Sequence, residues 1–286
     1  MPENFLAALV RAAARRLADA GVPDPLVDAE LLAGHVLDRR RGEVQAAVVR
    51  GDRVSEADAA VLDAAVTRRA AREPLQHITG TAPFRHLELA VGPGVFVPRP
   101  ETETVVQYAI DALLNAPEPE PVGVDLGTGS GAIALAMATE VPHARIFAAE
   151  LSPEAYAWAD RNTAHAENLT LVLSDLADAF PELDGTASVV ISNPPYVPDA
   201  AVPRDPEVRL FDPALALYGG VDGLDVVRKL SSRALRLLRP GGLLVIEHGE
   251  LQGGAIRDLL TDAGWRAAAT HRDLTLRDRA TTALRA

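Results

Sequence analysis

The chain has 286 residues, 48% of them hydrophobic and 24% charged, with no cysteine and a formal net charge of −12. That length leaves room for two domains with a real core, and the lack of cysteine excludes a disulfide framework and any thiolate metal site, which suits a cytoplasmic protein. Residues 1–75 hold 11 Arg against 12 Asp plus Glu, so −11 of the net charge rests on residues 76–286. Polyanion binders ordinarily carry a basic face, so nucleic acid is not expected as a tightly held substrate.

The opening "MPENFLAALVRAAARRLADAG" places Leu6, Leu9, Val10, Ala13 and Leu17 at helical spacing, with Arg11, Arg15 and Arg16 between them. It has no uninterrupted signal-peptide core, and no run elsewhere approaches the ~18 apolar residues of a membrane span, so a soluble, uncleaved chain is expected. Asp24 before Pro25 reads as an N-cap followed by a first-turn proline, and Ser55 with Asp58 as a capping box. The pattern stays helical to about Arg72 and predicts a small bundle over residues 1–75. Residues 76–98, "QHITGTAPFRHLELAVGPGVFVP", change to alternating apolar residues with Gly-Pro punctuation and predict a β-hairpin connector.

From Arg99 to residue 286, apolar runs alternate with helical segments. Strands are expected at 122–126, 145–150, 169–174, 187–192 and 242–248, and helices near 131–140, 153–166, 225–238 and 253–262. Repeated β-α alternation predicts an α/β domain with a doubly wound, mostly parallel sheet. Ligands bind such sheets beyond the carboxyl ends of the strands, which puts Asp125 to Gly131, Glu150, Asp175 and Asn193 along one rim.

"VDLGTGSGAIALA" sets Gly127, Thr128, Gly129, Ser130 and Gly131 between a strand and an alanine-rich helix. Glycines allow a tight turn and close approach of a ligand, and the helix start offers free N–H groups. A dinucleotide fingerprint needs G-x-G-x-x-G, whereas these glycines fall as G-x-G-x-G, a spacing that resembles motif I of S-adenosylmethionine-dependent methyltransferases. Glu150 ends the next strand, where it could accept from ribose hydroxyls, and Asp175 with Leu176 ends the third, positioned for an adenine edge and face. Taken singly, a glycine turn is often only a tight connection and a strand-end acid only a helix cap. Three in register favour a cofactor site.

"ISNPPYVPD" stops a buried strand with Asn193, two prolines and an aromatic, since proline can neither continue a ladder nor donate to it. Alone, that is a common strand-terminating turn. Asn-Pro-Pro-Tyr at the end of a fourth strand, however, is the signature of methyltransferases acting on planar nitrogen. "DAELLAGHVL" (28–37), "REPLQHITGTAPFRHLELAVGPGVFVPRPETE" (72–103), "DLGTGSGAIALA" (125–136), "SNPPYVP" (192–198) and "DPALALYGGVDGL" (212–224) together resemble the protein-(glutamine-N5) methyltransferase family, PrmC/HemK. The resemblance implies a class I S-adenosylmethionine methyltransferase sheet and S-adenosylmethionine as cofactor, with S-adenosylhomocysteine as product. It implies peptide chain release factors as substrates, methylated on the glutamine of their Gly-Gly-Gln motif, and a helical domain that recognises them.

An amide nitrogen is a weak nucleophile because its lone pair is delocalised. The Asn193 side-chain oxygen and the Pro194 carbonyl can each accept one amide hydrogen, fixing the nitrogen and favouring positive charge on it. Tyr196 can stack on the planar amide, beside Pro195, and exclude water. This chemistry requires no metal, nucleophile or strong general base. By resemblance the loop "VFVPRPETE" closes over the site, with Phe96 as a pocket wall; Arg99, Glu101 and Glu103 also read simply as the start of a helix.

Residues 197–224 are long and aperiodic and predict a substrate-facing lid. Many relatives place an aromatic near Leu176, so adenine stacking here is weaker or comes from Phe180. His77, His86 and His248 are scattered without ligand spacing, and no metal is assigned. Two other readings share the Asn-Pro-Pro-aromatic device: a glutamine methyltransferase of a ribosomal protein, and a DNA adenine-N6 methyltransferase, which the charge balance disfavours. A monomer that binds no membrane is expected.

Overall fold

The computed structural model describes residues 4–286, so Met1 to Glu3 of the expected first domain lie outside the described residues. The chain divides into two units, Met1–Thr81 with Arg204–Phe211, and Ala82–Pro203 with Asp212–Ala286.

The first unit is built from α1 (Leu6–Asp19), α2 (Pro25–Leu37), α3 (Arg41–Arg50), α4 (Glu56–Ala70) and the short α5 (Leu75–Thr79). In α1 the buried residues are Leu6, Val10, Ala13 and Leu17, a single helical stripe that packs with Leu32, Val44 and Leu62 from the next three helices. Ser55 caps α4 as expected, accepting from the Asp58 N–H at 3.0 Å and donating to its carboxylate at 2.7 Å. Asp24 stands at the N-cap of α2 but makes no side-chain cap bond. Pro25, pre-set in φ at the first helical position, marks that start instead.

Arg204–Phe211 belongs to this unit through Glu207. Its carboxylate accepts from Arg69 Nη1 at 2.7 Å, Arg72 Nε at 2.8 Å and Arg72 Nη2 at 2.5 Å, while Arg69 Nε donates to Asp28 at 2.7 Å. Burial opposes ionisation of Glu207, yet its hydrogen bonds, those from Arg72 foremost, hold its pKa at about 2.

The connector contains the expected hairpin, β1 (Thr81–Phe84) with β2 (Leu87–Ala90), preceded by the helical turn α5. Its apolar residues Phe84, Leu89, Val91, Val95 and Val97 are buried in the core of the second unit. That unit continues through α6 (Pro100–Leu114), β3 (Val122–Leu126), α7 (Ala132–Glu140), β4 (Arg145–Glu150), α8 (Pro153–Thr163), β5 (Leu169–Leu173) and β6 (Ala187–Ser192). Then come α9 (Pro206–Phe211, in the first unit), α10 (Ala214–Leu217), α11 (Asp225–Leu237), β7 (Leu238–Glu247), α12 (Gly253–Asp262), β8 (Arg266–Arg272) and β9 (Asp278–Leu284).

Seven strands form one sheet in the order β5-β4-β3-β6-β7-β9-β8, parallel except at β9. Alternate side chains divide between two cores. Val189, Ile191 and Val245 pack with α6 and α7 on one face, and Val190, Leu244 and Ile246 with α11 and α12 on the other. The fold is the α/β, doubly wound class that the alternation predicts. The antiparallel pair β8 and β9 was not foreseen, because "RAAATHR" and "DRATTAL" mix charge and alanine with little apolar alternation. Strand order reverses between β3 and β6, which opens a crevice at their carboxyl ends. Among the described residues no helix is long and apolar enough to cross a membrane.

Candidate active site

The turn after β3 is held by its own polar groups. Asp125 is fully buried, and its Oδ2 accepts from Thr128 Oγ1 at 2.5 Å and from the Ala134 N–H at 3.2 Å, joining the strand end to the first turn of α7. Burial pushes the Asp125 carboxyl up to about 7; those two hydrogen bonds oppose the shift and the Glu150 charge adds to it. Gly127 and Thr128 donate to Ala149 O at 2.9 and 3.0 Å, which binds the turn to β4. Gly129 adopts φ +60°, and a Cβ there would meet nothing within 4 Å. The turn therefore presents left-handed backbone to open space, the form a closely approaching ligand needs. Ser130 is buried, and its carbonyl accepts from Asn162 of α8 at 2.9 Å. Asn162 also exchanges hydrogen bonds with Ala90 of the hairpin, a clip that nothing in the sequence announces.

Glu150 ends β4 buried beside that turn. Its Oε2 accepts from the Gly129 N–H at 2.8 Å, and its Oε1 from Leu151 and Ser152 at 2.9 and 2.8 Å. The acid is thus the brace of the glycine turn, and a carboxylate with about four acceptor directions still has capacity for a ribose hydroxyl. Ser152 caps α8 independently, accepting from Ala155 at 3.3 Å. Asp175 lies beyond β5, half-buried, and accepts from the Ala177 N–H at 2.9 Å; Leu176 packs against the second core. Phe180 does not meet the expectation of an adenine partner. It is 4% exposed and packed edge-on against Phe147 at 5.4 Å, so the ring is committed to the core.

Asn193 follows β6 directly. Ser192 Oγ donates to Leu126 O at 2.5 Å, which fixes the end of β6 against the end of β3 and brings Asn193 to the glycine turn. None of the described residues hydrogen-bonds the Asn193 side chain. The backbone beyond it is held from two sides. Gln252 Nε2 donates to Tyr196 O at 2.9 Å, and Val197 exchanges hydrogen bonds with Leu217 and Gly219. A Cβ on Gly219 would stand 2.5 Å from Pro195 O, which explains the glycines of "YGGVDGL" as space for this loop. The 197–224 segment that looked aperiodic thus holds α9, α10 and a strand-like bridge from Val197 to Tyr218. Burial, then the Glu247 charge, push the Tyr196 phenol up to about 12, so the ring stays neutral. Phe96 is half-buried with the Arg99 guanidinium 4.9 Å over its ring, and Arg99 bonds Asp212 at 2.7 Å. Glu101 and Glu103 occupy the first turn of α6, where acids complement the helix dipole.

Glu247, at the end of β7, is a further acid of this rim that sequence reasoning passed over as part of a strand. It is 2% exposed, and its Oε2 has no hydrogen-bond partner among the described residues. His248 is a core histidine, its ring bonded to Gly249 O and Thr281 Oγ1. Among the described residues no group of three His, Asp or Glu side chains could hold a metal.

Two families match the chain: "PrmC N-terminal domain" over residues 8–80 and "Methyltransferase small domain" over residues 89–218. A release factor glutamine methyltransferase of Streptomyces coelicolor is 52% identical over 99% of both chains, and one of Bifidobacterium longum is 44% identical over 95% of this chain and 96% of its own. In fold, a methyltransferase from Pyrococcus furiosus covers 70% of this chain and 90% of its own with a TM-score of 0.51 at 21% identity. With identity sustained from the helical unit through the glycine turn to the final strands, the chain belongs to the release factor glutamine methyltransferase family, PrmC/HemK.

Proposed function

We propose that the protein transfers the methyl group of S-adenosylmethionine to the side-chain amide nitrogen of the glutamine in the Gly-Gly-Gln motif of peptide chain release factors. The observation that carries this reading is the juxtaposition at one sheet switch point of an open, acid-braced glycine turn with an Asn193 side chain that none of the described residues hydrogen-bonds. Gly127, Thr128, Gly129, Ser130, Gly131 and Glu150 hold the cofactor, with Asp175 and Leu176 toward its adenine. When bound, the cofactor supplies a methyl group on a positively charged sulfur.

Asn193 Oδ1 and Pro194 O accept the two amide hydrogens, so the nitrogen lone pair is held in one direction and developing positive charge meets two preorganised dipoles. Tyr196 and Phe96 face the planar amide and exclude water, while Pro195 keeps the loop from donating an N–H into the site. The helical residues 1–75 recognise the protein substrate, residues 76–98 connect, and residues 99–286 carry the chemistry. We infer a cytoplasmic monomer that works without metal or nucleic acid.

The test is transfer of label from S-adenosylmethionine to a release factor, compared with a release factor whose motif glutamine is alanine. Label on the first and none on the second is expected. Equal label on both would move the methyl elsewhere, and none on either would bring forward a ribosomal protein or DNA as substrate.

A further inference from the structure

The acid at the end of β7 has no part in the transfer as described, yet its position is specific. Val189 and Ile191 of β6 and Val245 of β7 face α6, and the alternation along β7 carries Glu247 to the same side. Ser192 pairs with Ile246 in the parallel register, so Asn193 and Glu247 are the next residues along two neighbouring strands. Glu101 and Thr102 at the start of α6, Tyr196 beyond β6 and Arg279 of β9 surround the carboxyl. Arg279 forms its ion pair with Asp273 instead. Glu247 Oε2 is buried without a hydrogen-bond partner among the described residues. An unsatisfied buried carboxylate costs free energy that an apolar residue at the same place would not, so stability does not explain it.

Amide methylation leaves a problem that a carboxylate solves. When the N–CH3 bond forms and the CH3–S bond breaks, the nitrogen holds two hydrogens, the methyl and a positive charge, and one hydrogen must leave. We propose that Glu247 takes up that proton. An Oε2 lone pair captures the hydrogen that also faces the Asn193 oxygen, and the N–H bonding pair returns to nitrogen as a neutral secondary amide. The carboxylic acid then releases its proton to water. The proposal rests on the glutamine reading given above. The basicity of the group suits this role, because burial pushes the Glu247 carboxyl up to about 7, with Thr102 and Arg279 opposing and Glu101 adding. An acid of that strength is a better proton acceptor than an ordinary carboxylate and is still substantially ionised at neutral pH.

The test compares wild type, Glu247→Gln and Glu247→Asp across pH at saturating cofactor. Wild-type kcat should rise through a limb near 7 and level off. Glu247→Gln should lower kcat about 100-fold and erase the limb, with KM for the release factor and cofactor affinity changed by less than about threefold; Glu247→Asp should restore the limb and part of the rate. A readout without turnover accompanies it: the ionised carboxylate destabilises the folded state, so Glu247→Gln should raise Tm most at about pH 8.5 and leave it nearly unchanged only at about pH 4, below the ordinary carboxylate range. A Gln variant that keeps both wild-type kcat and the limb overturns the proposal. If the Gln variant fails to fold, an Asp variant lacking the limb does the same. If wild type labels no release factor, the functional reading has failed, while the Tm comparison still reports whether Glu247 titrates.

Discussion

In the helical unit every carboxylate of the buried cluster meets a guanidinium: Glu207 takes Arg69 and Arg72, and Asp28 takes Arg69 from the other side. At the carboxyl rim of the sheet, Asp125 and Glu247 are buried at least as deeply, each with one oxygen that has no hydrogen-bond partner and neither in an ion pair among the described residues. The same residue types are driven in opposite directions, Glu207 down to about 2 and the two rim acids up to about 7. Paired burial closes a fold, whereas unpaired burial stores proton affinity at a place where a ligand arrives.

That contrast breaks most visibly at Glu207. Glu207→Ala removes the carboxylate shared by Arg69 and Arg72, leaving Arg72 only the 3.9 Å contact with Asp205, and should cost about 3–5 kcal/mol in chemical denaturation, while replacing Asp28, Arg69, Arg72 and Glu207 together by apolar residues of similar volume should cost far less. Asn193→Ala comes next. Removing one of two preorganised acceptors should lower kcat about 100- to 1,000-fold while cofactor affinity by calorimetry stays within about threefold. Glu150→Gln keeps the shape but halves the acceptor capacity facing Gly129, Leu151 and Ser152, and should weaken cofactor binding about 10- to 100-fold, read by the same calorimetry.

The smallest effect separates the units by pH. Glu207 binds its proton more weakly folded than unfolded, so its contribution is complete above the ordinary carboxylate range and fades as pH falls from about 4.5 toward 2. Asp125 and Glu247 bind theirs more tightly folded, so their contribution is present at low pH and is lost as pH rises through about 7. Hydrogen exchange of the cofactor-free protein between pH 5 and 8 should therefore show the sheet weakening while the helical unit is unchanged.

The glycine turn and the Asn-Pro-Pro-Tyr stop were legible because each is a local necessity, a turn or a strand end that only those residues make. Glu150 stands at the rim where the strand pattern puts it, but its tie to Gly129 is a contact across 21 residues that no local pattern encodes. Glu247 was read only as strand, since an acid at the end of "LLVIE" looks like any solvated strand end until the neighbouring strand and α6 cover it. Phe180 shows the reverse: of the two alternatives for adenine stacking it is the one the fold removes, because its partner, Phe147, lies in β4 and no local pattern announces the pair.

By itself the sequence determined the α/β class, the positions of the central strands along the chain, the helical start and the two turns that flank the site, because hydrophobic period and glycine or proline placement act over a few residues. Tertiary structure alone decided that residues 204–211 join the helical unit through Glu207, that β8 and β9 close the sheet antiparallel, and which buried acids find a cation. Those outcomes depend on which distant groups share a low-dielectric space, and a carboxylate carries no mark of its neighbour until the chain has folded.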